Sequence, residues 1–308
     1  MKKRYLIVGS SGFIGSKLLA LLNSSNKSIN TINRSSQITS DNITEYICTL
    51  DQDELPKEAF KGVEVVVHLS GIAHDMTDAS IMENTYRKLN INWAIRVASV
   101  AVSYNVKKFI YLSSVKAGGK QTSDKCYTEN DQYVPEGVYG KTKREAELKL
   151  LSIGDKSDMN VSIIRPSLVY GPGAKGNLQF MLSGIRMGWF PPLPKIKNKR
   201  SMIHVDDLVR AIMLVAEDDR SNGNIFIATD GNTHSSRDLY VAMCGVVGRE
   251  VPGWTVPKVF FEIVALFSAK YRYKVGKLLG SECYSSEKLE SLGFKARKDL
   301  RDMNETSI

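Results

Sequence analysis

The sequence predicts an α/β protein, a doubly wound parallel sheet joined to a smaller C-terminal α/β domain. Three observations carry this. Short apolar runs of the kind that form buried parallel strands alternate with helical patterns. The first run, residues 5–8, passes into Gly9, Gly12 and Gly15, and a helical pattern follows at once. Polar residues then mark the ends of later apolar runs, at the sheet edge where such proteins bind ligands.

Taken in order, Tyr5, Leu6, Ile7 and Val8 make the first strand. Gly9 allows a tight turn, Gly12 lets the backbone approach a pyrophosphate, and Gly15 lets the helix pack on the strand. The helix puts Ile14, Leu18, Leu21 and Leu22 on one side, and its free N–H groups face the anion. The second strand, residues 28–32, ends in Asn33-Arg34-Ser35-Ser36. NAD-binding units place an acid here for the ribose hydroxyl, but Asn33 is uncharged and Arg34 among hydroxyls suits a 2′-phosphate. NADP is therefore expected, with NAD possible. A strand over 63–69 leads into Ser70-Gly71, and one over 108–112 leads into Ser113-Ser114. Ser114 is placed to hydrogen-bond a substrate oxygen. It is not read as a triad nucleophile, because the chain has no Gly-x-Ser-x-Gly elbow and no His in a partner motif.

Tyr139 and Lys143 are four apart and share a helix face. The lysine charge favours the phenolate, drawing the tyrosine pKa toward working pH. Such a tyrosine can exchange a proton with a sugar or alcohol oxygen. The spacing alone is common, so its weight comes from the glycine loop and the serine that accompany it.

Together these motifs resemble the extended short-chain dehydrogenase/reductase family, in its nucleotide-sugar epimerase, dehydratase and reductase branch. The resemblance rests on Gly9-x-x-Gly12-x-x-Gly15, Asp51, His68-Leu-Ser-Gly71, Asn90, Ser113-Ser114 and Tyr139-x-x-x-Lys143. It continues through Arg165-Pro-Ser-x-x-Tyr170-Gly-Pro-Gly173 and Arg200-Ser-Met-Ile-His204-Val-Asp206-Asp207. It implies a Rossmann-type sheet, with Tyr139 as general acid/base, Lys143 as its tuning cation and ribose ligand, and Ser114 as the orienting hydroxyl. Cofactor contacts are implied at Gly9, Ser11, Gly12, Phe13, Ile14, Gly15, Arg34, Leu69, Ser70 and Gly71, with Asp51 near the adenine and Asn90 on the proton path. Asn177 and Arg200 resemble the pair that meets the substrate diphosphate. Homodimers through helices beside the Tyr/Lys helix are common in the family.

Departures narrow the reading. Relatives that eliminate water carry Asp-Glu after the active-site serine or threonine, where this chain has Val115 and Lys116. Many 4-epimerases have Tyr-Gly a few residues further on, where this chain has Gly118-Gly119. Residues 113–118, 139–147, 170–177 and 229–231 are similar to bacterial reductases of UDP-linked 4-keto-6-deoxy-N-acetylhexosamines in surface polysaccharide synthesis. The expected activity is reduction of that C4 ketone. The alternatives are a UDP-hexose or UDP-N-acetylhexosamine 4-epimerase and, in another class, a non-catalytic NADP-sensing protein.

Bulk properties agree. A net charge of +9 suits NADP and a UDP-sugar, while dispersed Lys and Arg without a binding motif argue against nucleic acid. Cys48, Cys126, Cys244 and Cys283 are scattered, without metal spacing, so reduced thiols, no metal and a cytoplasmic location are expected. No signal peptide is read. Residues 256–267 are apolar but too short to span a bilayer, and a packed helix is expected, with a dimer face or membrane-surface contact as alternatives. The expected cofactor domain is 1–167 with 200–228 returning to it, and the sugar-binding domain is 168–199 with 229–308.

Overall fold

The computed structural model describes residues 3–36, 41–49, 54–72, 79–119, 125–174 and 176–303. The first half runs β1 (Arg4–Val8), α1 (Phe13–Ser24), β2 (Ser28–Asn33), β3 (Ile43–Ile47), β4 (Val65–His68) and α2 (Ala79–Tyr86). A π-helical segment, Arg87–Asn92, joins α2 directly to α3 (Trp93–Ser103). There follow β5 (Lys108–Leu112), α4 (Gly137–Asp155), β6 (Asn160–Pro166), β7 (Leu168–Tyr170), α5 (Asn177–Met187), β8 (Met202–His204) and α6 (Val205–Glu217). The chain closes with β9 (Ile225–Ala228), α7 (Ser236–Val246), α8 (Lys258–Leu266), α9 (Ala269–Leu279) and α10 (Glu287–Glu290).

Seven strands form one sheet in the order β3-β2-β1-β4-β5-β6-β9, and every neighbouring pair is parallel. Helices cover both faces, which is why β1 and β4 read as apolar runs. Alternation within β1 shows it. Tyr5 and Ile7 join one core with Leu18 and Leu22 of α1 and Leu208 and Ile212 of α6. Leu6 and Val8 join the other with Val97 of α3 and Ala146 and Leu150 of α4. A third core, around Tyr170, Met181, Met202 and Met243, packs α5 and α7 beside the two-stranded sheet β7-β8.

Chain order reverses between β1 and β4, and this opens a crevice at their carboxyl ends. Gly9 closes one side with φ of +91°, and a Cβ there would lie 3.0 Å from the Ser70 amide nitrogen on the other. A Cβ on Gly15 would fall 2.2 Å from the Gly9 carbonyl oxygen, so α1 can sit this close to the loop only with glycine there.

Two expectations need correction. The cysteines are not all thiols: Cys126 and Cys283 form a disulfide, while Cys48 and Cys244 are free. Spacing hides this because the partners are 157 residues apart, and a bridge between Tyr127 and Tyr284 lays their segments side by side. The apolar stretch at 256–267 does form a helix, but of α8 only Phe261 is buried. Asp51 lies outside the described residues. No described helix is long and apolar enough to cross a membrane.

Candidate active site

The site grows from the sheet's carboxyl edge. The α1 N-terminus has Gly12 as its N-cap with no side-chain cap and no acid in its first turn. No described side chain therefore caps its first amides, which suits an anion. Gly9, Ser11, Gly12, Asn33, Arg34, Leu69, Ser70 and Gly71 line a cleft of about 220 Å³ at this point. Phe13 and Ile14, in the first turn of α1, are half-buried.

Asn33 ties the glycine loop down. Its Oδ1 accepts from Ser10 Oγ at 3.0 Å and Ser11 N at 3.3 Å, and its Nδ2 donates to Glu45 Oε1 at 3.0 Å. Glu45 also accepts from Ser36 Oγ at 2.8 Å. An acid thus stands at this end of the cleft, supplied by β3 rather than by the end of β2. Arg34 is exposed on the cleft's rim.

Asn90 sits in the π-helical segment, fully buried. Its Oδ1 accepts from Ile72 N at 2.9 Å and its Nδ2 donates to Thr142 Oγ1 at 3.2 Å. Tyr111 Oη donates to the Asn90 carbonyl at 3.2 Å. One amide therefore locks the loop after β4 to α4. The extra residue of a π turn is what aims it there, a feature that recurs at functional sites.

Lys143 is buried with its Nζ donating to the Leu112 carbonyl at 2.9 Å, 4.6 Å from the Tyr111 ring centre. A Cβ on Gly71 would lie 3.4 Å from that Nζ and 2.8 Å from Asn90 Oδ1, so Gly71 leaves the amine room. Burial pushes the Lys143 pKa down to about 8, against the upward pull of Glu147 one turn on. His68, stacked between Phe109 and Tyr111, is pushed down to about 3 by burial and then by the Lys143 charge, so it is neutral.

Tyr139 stands in the first turn of α4, half-buried. Ser114 is the N-cap of the turn Val115–Gly118, where its Oγ accepts from Lys116 N at 3.2 Å. The two elements touch at Gly140, where a Cβ would fall 2.8 Å from the Lys116 carbonyl oxygen. A glycine next to the tyrosine thus brings Tyr139 and the Ser114 turn together. Lys116 points away into an ion pair with Glu282 Oε1 at 2.6 Å. Burial would raise the Glu282 pKa, but Lys116, Arg200 and Lys277 outweigh it and hold the carboxyl below its ordinary value.

Arg200 is bridged to His234 and Glu282 through its backbone, and its Nη1 donates to the Lys277 carbonyl at 2.5 Å. Its Nε is buried without a hydrogen-bond partner among the described residues, a cost that an anionic ligand would relieve. Asn177 opens α5 and is exposed. The structure therefore gathers the glycine loop, Ser70, Gly71, Asn90, Lys143, Tyr139 and Ser114 on one sheet edge, while Asn177 and Arg200 belong to the third-core side.

Three residues that the sequence motifs include without a role hold this arrangement: Gly140, Glu147 and Arg165. Arg165 at the end of β6 donates from Nε to Glu147 Oε1 at 2.9 Å and from Nη2 to Oε2 at 2.6 Å, with both side chains buried. The signal was available for Glu147, four residues after Lys143 on the same face. Nothing local pointed to Glu282, which reaches Lys116 across 166 residues.

The NAD dependent epimerase/dehydratase family matches residues 5–228, most of the chain. The chain belongs to that family. Within it, a UDP-glucose 4-epimerase of Vibrio cholerae is 30% identical over 98% of this chain and 93% of its own length. An N-acetyl-alpha-D-glucosaminyl-diphospho-ditrans,octacis-undecaprenol 4-epimerase of Escherichia coli O157:H7 is 24% identical over 96% of this chain and 91% of its own. MoeE5, solved in complex with UDP-glucuronic acid and NAD, superposes with a TM-score of 0.78 at 22% identity, over 97% of this chain and 96% of its own. At that identity the superposition speaks for the fold.

The cleft fits the dinucleotide that the family name implies. Gly9, Ser11 and Gly12 offer backbone to a pyrophosphate, and Gly71 clears space beside Lys143. When bound, the nicotinamide supplies or accepts the hydride.

The Lys143 amine is a cation below its pKa and loses its charge above it. With Lys143 in the tuning role the sequence leads one to expect, the alkaline limb of kcat/KM falls with a midpoint near pH 8, and a profile flat well beyond that pH takes Lys143 out of that role. Stability has the opposite sense. The folded pKa of about 8 lies below the ordinary 10.5, so the cost of burying the cation is complete below 8 and is relieved as pH rises toward 10.5.

Proposed function

We propose that the protein moves a hydride to or from C4 of a hexose carried on UDP, with Tyr139 exchanging the proton of the C4 oxygen. The observation that carries this is the convergence of Lys143, the first turn of α4 and the Ser114 turn beside Gly71 and the cofactor cleft. Ser114 orients the C4 oxygen and Lys143 supplies the charge that eases proton transfer. Asn177 and Arg200 hold the diphosphate, and the unpartnered Nε of Arg200 supports that role. The names of the relatives, both 4-epimerases of diphosphate-linked sugars, support C4 as the reacting carbon.

The favoured net reaction is reduction of a UDP-linked 4-keto-6-deoxy-N-acetylhexosamine, a precursor of surface polysaccharide, by cytoplasmic NADPH. Dehydration is disfavoured because no acid–base pair follows Ser114: Val115 is buried and Lys116 is committed to Glu282. Arg34 on the cleft rim supports the 2′-phosphate of NADP. Epimerisation at C4 with retained NAD is the second reading. Glu45 beside Asn33 favours it, since a carboxylate there repels a 2′-phosphate. A homodimer through α3 and α4 fits the exposed Leu148 on α4.

Mixing the purified protein with NADPH and the 4-keto sugar tests the first reading. Stoichiometric loss of NADPH supports the reductase. Interconversion of UDP-hexoses or UDP-N-acetylhexosamines without net cofactor loss moves the assignment to the epimerase, and neither activity rejects both. Arg34→Ala is expected to weaken NADPH binding about tenfold and leave NADH unchanged, as titrated by cofactor fluorescence. Equal loss for both cofactors would take Arg34 away from the 2′ position.

A further inference from the structure

The α8–α9 hairpin exposes an apolar face that none of the described residues covers. Val259, Ile263, Leu266 and Phe267 recur at i, i+4, i+7 and i+8, so they share one stripe, and Phe260 widens it. Their exposures run from 49% at Ile263 to 77% at Phe267, values expected of polar positions. Of α8, only Phe261, on the opposite side, is buried against the third core, and Leu279 at the end of α9 joins it there. The next helix, α9, exposes Tyr271 and Tyr273 alternating with Arg272 and Lys274. Across residues 254–279 the chain carries five basic residues and one acidic one, Glu262, which is paired with Lys258 at 3.0 Å.

We propose that this hairpin docks the protein on an anionic phospholipid bilayer surface. Apolar side chains on a short helix beside aromatic and basic residues are the composition of an interfacial anchor, not of a span. The excess of positive charge selects the occupant. A two-fold dimer through this face would set the basic patch against its own copy, which like-charge repulsion opposes. A surface of anionic headgroups meets the same charge favourably, and the acyl boundary takes up the apolar stripe. Docking has a consequence for the site. Lys277, in the last turn of α9, accepts a hydrogen bond from Arg200 through its carbonyl, so the element on the bilayer is the one that braces Arg200.

The test is co-sedimentation of the full chain with phosphatidylcholine vesicles, with and without phosphatidylglycerol, at low and high salt. Binding is expected only to the anionic vesicles and is expected to weaken with salt. Leu266→Glu combined with Phe267→Glu, and separately Arg272→Glu combined with Lys274→Glu, are each expected to lower partitioning about tenfold or more. Because all four residues are exposed, the thermal midpoint should not move, and it is measured alongside. Absence of binding to anionic vesicles overturns the proposal, as does binding retained by both variants. It is also overturned if the wild type sediments as a dimer that Leu266→Glu/Phe267→Glu converts to monomer.

Discussion

Tyr139→Phe is expected to cost about 10³-fold in kcat while leaving cofactor affinity near that of the wild type. The variant removes one oxygen and little else. The ring of Tyr139 stays in the first turn of α4, and that turn is fixed by groups the substitution does not touch. Gly140 presses on the Lys116 carbonyl, and Thr142 Oγ1 both accepts from Asn90 and donates to the Tyr139 carbonyl at 3.0 Å. What disappears is the one group that the proposed mechanism has exchange a proton with the C4 oxygen. A loss of about 10³ corresponds to about 4 kcal/mol of transition-state stabilisation, within reach of a single well-placed acid/base group. Ser114→Ala should cost less, because the proposed mechanism has its hydroxyl orient the oxygen without taking its charge. The split between constants decides the case. A fall in kcat with KM and cofactor affinity retained places Tyr139 in the chemical step. A near-normal kcat would sink the mechanism, and a fall confined to cofactor binding would make Tyr139 a ligand rather than the acid.

The parts of this site that lie close together in sequence were legible there. Gly9, Gly12 and Gly15 could be read because a strand, a turn and a helix follow one another without a break, and the structure gives them the geometry that order requires. Tyr139 and Lys143 were visible through the helical repeat. The apolar runs of β1, β4 and β5 were visible because both faces of the sheet are covered. Other features were hidden for a physical reason in each case. Asn90 could be named by resemblance, but its aim depends on a π turn that no residue pattern announces. Glu45 reaches Asn33 at the cleft from β3, so an acid near this point is out of view when only the end of β2 is read. The Cys126–Cys283 disulfide and the Lys116–Glu282 pair both join the region after β5 to the segment after α9, and only tertiary folding brings those together. The apolar stretch at 256–267 was read as packed because its composition matches a core helix, yet composition carries no record of which face finds a partner.

Glu147→Ala is expected to destabilise the fold by about 3–5 kcal/mol. Glu147 is fully buried and Arg165 is 1% exposed, and their two parallel hydrogen bonds join α4 to β6. Removing the carboxylate strands a guanidinium that is buried away from water and has lost the partner that offsets its charge. A second arginine adds to the cost, since Arg144 Nη1 lies 3.9 Å from the same carboxylate. Against a total stability of about 5–15 kcal/mol, a loss of this size leaves a marginal protein. The effect should reach the active site as well. Arg165 lies against Gly118, in the turn that Ser114 caps, and Glu147 holds the helix that carries Tyr139 and Lys143. A double variant, Glu147→Leu with Arg165→Met, separates the pair's net value from the cost of breaking it. With both charges gone, it is expected to melt closer to the wild type than Glu147→Ala does. Thermal unfolding of the three proteins checks this. If Glu147→Ala melts within about 1 °C of the wild type, the pair does not hold α4 to the sheet. If the double variant is the least stable of the three, the pair contributes net stability and its role is more than charge compensation.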